Sequence, residues 1–148
     1  MKVFSNEAHV ITLLMSLTLL RLQTNQIGDS GAQYLADALK VNKSLQNLQL
    51  QYNKIGDNGA QYLADGLKVN KALTFLRLDQ NQIGDTGAKH LADALTLNKS
   101  LTYLDLGNNK IGDNGAQHIA EGLKVSKVNY IVTYSQEVAS STFTNILS

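Results

Sequence analysis

The sequence predicts an α/β repeat solenoid in which short parallel strands alternate with helices. Three observations predict it. The stretch from Leu17 to Val128 divides without gaps into four units of 28 residues, opening at Leu17, Leu45, Leu73 and Leu101. Each unit begins with L-x-x-L-x-L, whose last two leucines lie two apart and therefore on one face of a strand. Each then runs through A-x-x-L-A-x-x-L, with Ile119 replacing one leucine, the i, i+3, i+4, i+7 stripe of a helix that buries one side. A strand and a helix recurring at a fixed period form a stack whose internal units bury their flanks against their neighbours.

The elements follow in order along the first unit. Leu17, Leu20 and Leu22 place a short strand with one core face. Asn25, Asn53, Asn81 and Asn109 recur where that strand ends. An amide carries both donor and acceptor and satisfies the backbone groups of a turning chain, so these four are expected to form a buried ladder rather than a ligand site. Ile27 returns to the core, and Gly28, Gly56, Gly84 and Gly112 suit a left-handed backbone. Asp29, Asp57, Asp85 and Asp113 stand where an N-cap accepts from the first free amides of its own helix, which explains the row without calcium. Ala32, Leu35, Ala36 and Leu39 make the buried stripe. Asn42, Asn70 and Asn98 are expected to stop the helix in a left-handed conformation. Lysines 40, 43, 68, 71, 99, 124 and 127 crowd the negative end of the helix dipole.

The shared pattern L-x-x-L-x-L-x-x-N-x-I-G-D-x-G-A-x-x-L-A-x-x-L resembles leucine-rich repeats of the long, ribonuclease-inhibitor-like type, also found in Ran GTPase-activating proteins and in the sensing end of NOD-like receptors. The resemblance covers about three quarters of the chain, from Leu17 to Val128. It implies a horseshoe with an inner parallel β-sheet and outer α-helices. No motif specific to GTPase activation is matched by residues here.

Residues 1–148 are expected to be one domain. Residues 1–16 hold an apolar run, Val10 to Met15, that fits a partial preceding repeat or a cap. A signal peptide is the alternative; Ser5, Asn6, Glu7 and His9 interrupt its pattern, no A-x-A site follows, and cleavage would remove the core leucines of the first unit. From residue 129 the chain offers Tyr130, Ile131, Val132 and Tyr134, enough for a fifth strand, and then a tail whose Phe143, Ile146 and Leu147 are able to fold back.

Composition narrows the chemistry. A net charge of +1 provides no basic stripe to displace counterions, so nucleic acid is not expected, and neither is a membrane partner. The absence of cysteine leaves no disulfide and no thiolate metal site, which permits the cytoplasm, the location expected here. His90 and His118 each have an acid three residues on, Asp93 and Glu121, but share their column with Tyr34 and Tyr62, so a packing or surface role outweighs a metal site. G-D-x-G lacks the lysine of a phosphate loop. No enzyme activity, cofactor or metal is expected.

Function is therefore sought where the units differ. Between the inward leucines, the third, fifth, seventh and eighth positions face the concave side. The third column reads Leu19, Asn47, Phe75, Tyr103; the fifth Arg21, Gln49, Arg77, Asp105; the seventh Gln23, Gln51, Asp79, Gly107; the eighth Thr24, Tyr52, Gln80, Asn108. Aromatic, arginine and amide side chains on a rigid sheet suit recognition of a protein or peptide. The candidate contacts are Leu19, Arg21, Asn47, Gln49, Tyr52, Phe75, Arg77, Asp79, Tyr103 and Asp105. Five strands about 4.8 Å apart give only a few hundred Å² of bare sheet, against roughly 800 Å² per partner in a standard interface. The competing explanations are drift of an unconstrained solvent face, a GTPase-activating-protein-like regulator, and a self-associating repeat fragment that forms homo-oligomers through uncapped ends.

Overall fold

The computed structural model describes residues 16–132. Within them each L-x-x-L-x-L segment forms a three-residue strand: β1 (Leu19–Arg21), β2 (Asn47–Gln49), β3 (Phe75–Arg77) and β4 (Tyr103–Asp105), joined by β5 (Tyr130–Val132). The helices between them are α1 (Asp29–Val41), α2 (Asp57–Val69), α3 (Asp85–Leu97) and α4 (Asp113–Leu123). The strands make one parallel sheet in the order β1-β2-β3-β4-β5. Its register is the repeat itself: Leu19 pairs with Asn47, Asn47 with Phe75 and Phe75 with Tyr103. Tyr103 pairs with Tyr130, one residue short of the period. The shortening lies where α4 stops two residues early on an α-conformation Lys124, and Ser126 stands where earlier units have asparagine. Structurally, then, the fourth unit ends one residue earlier than its 28-residue alignment, and Val128 takes the place of the opening leucine. The segment 1–15 expected to be a partial repeat, and the tail from residue 133, lie outside the described residues.

The core fills the space between sheet and helices. In the second unit Leu48, Leu50, Ile55, Ala60, Leu63, Ala64 and Leu67 are all fully buried, and the third repeats the pattern with Leu76, Leu78, Ile83, Ala88 and Leu91. Each large aliphatic side chain contributes roughly 1.5–3 kcal/mol on burial, so the stack is held by many equal contacts. In the first unit Leu20, Leu22, Ile27 and Leu35 are only partly buried.

Three expectations about the turns are corrected. The glycines before the helices are extended, with φ from −100° to −94°, and no glycine has positive φ. The left-handed residues are Thr24, Tyr52, Gln80 and Asn108, directly before each ladder asparagine, together with Gln26. Glycine is kept in G-D-x-G by close approach: a Cβ on Gly87 would lie 2.7 Å from Asp57 Oδ1 and 2.8 Å from Ile83 Cγ2. That carboxylate explains the second correction. No helix is capped by a side chain of its own unit. Instead Asp57 Oδ1 accepts from the N–H groups of Gly84 (2.7 Å) and Gly87 (2.9 Å), and Asp85 Oδ1 from those of Gly112 (2.7 Å) and Gly115 (3.0 Å). Asp29, Asp57 and Asp85 thus serve the helix start of the following unit, where the amides are free and the dipole is positive; among the described residues no helix follows for Asp113 to serve.

The third correction concerns Asn42, Asn70 and Asn98. They are extended, with φ between −76° and −70°, and Asn70 and Asn98 bridge to the unit before them. Asn98 Nδ2 donates to Leu67 O and Asn70 O of the preceding unit, while its Oδ1 accepts from Ser100 N and Leu101 N. At the other turn Asn81 Nδ2 donates to Leu50 O, Leu78 O and Asp79 O, and its Oδ1 accepts from Ile55 N. Asn53 and Asn109 repeat this across their own unit boundaries. Asn25, expected as a buried member of that row, is exposed, its Nδ2 donating to Gln23 O of its own unit, whereas Asn53, Asn81 and Asn109 each also donate to a leucine carbonyl of the preceding unit.

Candidate functional site

The parallel register brings the variable strand positions into columns on the face opposite the core leucines. Phe75 and Tyr103 are neighbours in the third column, and their rings stack with centroids 4.0 Å apart and planes within 8°. Both are partly exposed. Such a pair stabilises its own geometry by about 0.5–1.5 kcal/mol beyond the area it covers, which fixes a flat aromatic platform.

Beside the platform lies a charged cluster from the same two strands. Arg77 forks onto Asp79, Nε donating to Oδ1 and Nη2 to Oδ2, both at 2.9 Å. Its Nε is also 3.7 Å from Asp105 Oδ2. The hydrogen bond to Asp79 holds the arginine more basic than usual. Burial pushes the Asp105 carboxyl up, against the opposing pull of the Gly107 amide, and Asp79 adds to the upward shift. One guanidinium thus faces two carboxylates in a partly dehydrated site, where charge-assisted hydrogen bonds are stronger than in water.

Phe75, Arg77, Asp79, Tyr103 and Asp105 are therefore brought together on β3, β4 and the turn after β3. Arg21 is exposed on β1, two strands away, and Leu19 lies beside it. Asn47 and Gln49 share β2, joined by a bond from Gln49 Nε2 to Asn47 Oδ1 of 3.2 Å. Tyr52 projects from the turn that follows, 57 % exposed on a left-handed backbone. Two expected contacts differ from an open solvent face: Asp79 and Asp105 are each only 7 % exposed. The arginine fork and the Gly107 amide hold them against the sheet. Gln51, in the same column, is equally buried, and its Oε1 has no hydrogen-bond partner, as is also true of Gln23 Oε1. Alternation along the strand could not show this, because it assigns a face and not the depth of cover.

Among the described residues no group of three histidine, aspartate or glutamate side chains converges on a possible metal position, and no helix is long and apolar enough to cross a membrane. His90 and His118 sit half-buried on α3 and α4.

The family model described as Leucine Rich repeat matches residues 14–36, 41–64, 69–92 and 97–120. The chain belongs to the leucine-rich repeat family. Among solved structures it is similar to one titled as actin-binding site 2 of leiomodin-1, with 26 % identity, a TM-score of 0.78, and coverage of 87 % of this chain and 77 % of that one. The tropomodulin C-terminal domain of Caenorhabditis elegans superposes with a TM-score of 0.73 at 11 % identity, covering 89 % of this chain and 85 % of that one, a likeness of fold. No curated protein matches.

Proposed function

We propose that the chain is a non-enzymatic, cytoplasmic protein-binding module that receives a protein partner on its concave face, centred on Phe75, Tyr103 and the Arg77–Asp79–Asp105 cluster. The observation that carries this reading is the stacked, partly exposed aromatic pair beside a positioned arginine. Aromatic and arginine anchors held in place before binding supply most of the affinity of protein interfaces, because little side-chain freedom is then lost on association. Leu19, Arg21, Asn47, Gln49 and Tyr52 form the rim. The bare sheet is smaller than a standard interface, so the partner also engages the turn carrying Tyr52.

Actin is the partner to test first, because the similar leiomodin-1 domain is titled as an actin-binding site. Titration of labelled chain with purified actin is expected to show saturable binding that Phe75→Ala and Tyr103→Ala each weaken at least about fivefold, roughly 1 kcal/mol. His90→Ala, on the helical side, should leave it unchanged. Loss of binding from the histidine change alone would move the site to the helices. No binding to actin would remove that partner while leaving the concave surface to be tested by the same variants against proteins captured from a native extract.

A further inference from the structure

We propose that the flank formed by the C-terminal ends of the helices is a second docking surface, independent of the concave face, and that its occupant is an acidic amphipathic helix of a partner protein. The last residue of α1, α2 and α3 is Val41, Val69 and Leu97, and Val125 stands at the matching place after α4. These four are 71 %, 54 %, 61 % and 58 % exposed, although Leu39, Leu67 and Leu95, two residues earlier in the same turns, are buried. The helix dipole accounts for lysines at these ends but gives no reason for aliphatic side chains in water.

The row has a regular spacing. Adjacent helices pack closely, since a Cβ on Gly66 would lie 2.9 Å from Ala36 O, and packed helices are in general about 8–10 Å apart. A helix laid across the row presents the same face every seven residues, about 10.5 Å apart. An apolar residue at each seventh position therefore falls near neighbouring tips, with a small drift from one to the next.

Charge selects the occupant. Lys43, Lys71 and Lys99 border the row on the side of the following strands, Lys127 is shifted by the missing residue of the fourth unit, and all four are exposed. Lys43, Lys71 and Lys127 have no hydrogen-bond or ion-pair partner among the described residues, while Lys99 donates to Thr96 O and Val125 O. On the other border Lys40 and Lys68 are engaged by Asp37 and Asp65, both at 2.8 Å. Free positive charge thus runs along one side of a strip one side chain wide, and Lys124, exposed in the column of Lys40 and Lys68, adds an unpaired charge on the other side at the C-terminal end. A strip of that shape fits a rod with an apolar stripe and acidic neighbours, whereas a bilayer needs apolar area in two dimensions.

The test uses the full chain and a fluorescein-labelled synthetic helix of about 24 residues with leucine at every seventh position and glutamate beside each leucine. A matched peptide carries lysine in place of glutamate. Anisotropy at low salt should show saturable binding of the acidic peptide only, weakened by added salt. Val69→Ser with Leu97→Ser, and separately Lys43→Glu with Lys71→Glu, should each weaken it at least about fivefold. The charge-reversed chain should gain affinity for the basic peptide. Phe75→Ala with Tyr103→Ala should change nothing, which separates this surface from the concave one. Because the flank residues are exposed, unchanged thermal melts will show that the variants remain folded. Absence of acidic-peptide binding, equal binding of both peptides, or full affinity in the flank variants would overturn the proposal. Sedimentation with phosphatidylserine vesicles without peptide binding would also overturn it and reassign the flank to a lipid surface.

Discussion

At the scale of single residues, this protein is stabilised by side chains that satisfy the backbone of a neighbouring unit. Asn81 accepts from Ile55 N and donates to Leu50 O, both in the preceding unit. Asn81→Ala should therefore destabilise the fold by about 1–3 kcal/mol by leaving those buried groups unpaired, and Gln80→Ala beside it should do far less. Equal shifts of the two in chemical denaturation would remove the bridging role. Asp105 gives a test of pH dependence. Its pKa is raised in the folded chain, chiefly by burial. Between the unfolded pKa and the raised folded one, the folded state holds more of this proton than the unfolded state, so this group's contribution to stability falls as pH rises through that window. Asp105→Asn retains an oxygen for the Gly107 amide and should flatten that fall, which denaturation across the acidic range will measure.

At the scale of the element, the helix start is a joint between units. The aspartate of one unit needs the second glycine of the next G-D-x-G, because a Cβ on Gly59, Gly87 or Gly115 would lie 2.5, 2.7 or 2.6 Å from its Oδ1. Gly87→Ala would place a methyl 2.7 Å from Asp57 Oδ1 and 3.0 Å from Ala60 Cβ. It should cost about 1–3 kcal/mol by overpacking and displacement of that carboxylate. Gly28→Ala, where the nearest such atom is Lys54 O at 3.9 Å, should be nearly neutral. A comparable loss in thermal melts of both variants would mean that backbone conformation, and not the neighbouring aspartate, selects glycine. The motif was legible as a signature of a helix start. Which helix the aspartate served was not, since the accepting oxygen and donating amides lie 27 and 30 residues apart.

At the scale of the whole molecule, a stack has two ends, and β1 and β5 are the outer strands of the described sheet. Unpaired strand edges and apolar end faces favour pairing with another copy. Sedimentation velocity over a wide concentration range should show concentration-dependent association; a monomer throughout would mean that the ends are covered within the chain.

The sequence by itself determined the strand and helix of each unit, the parallel register of the first four strands and the core face, because these depend on local periodicity and those units copy one another. The positions Phe75, Arg77, Tyr103 and Asp105 were legible as variable residues on the face opposite the leucines for the same reason. Tertiary structure decided what joins one unit to the next: the aspartate bridge, the second asparagine row and the burial of Asp79 and Asp105 under the arginine fork. It also decided that the lysines border an exposed aliphatic row. A repeat period fixes which residues occupy equivalent places, but contacts across the period depend on how closely the units stack, and that distance is set by packing of the whole array.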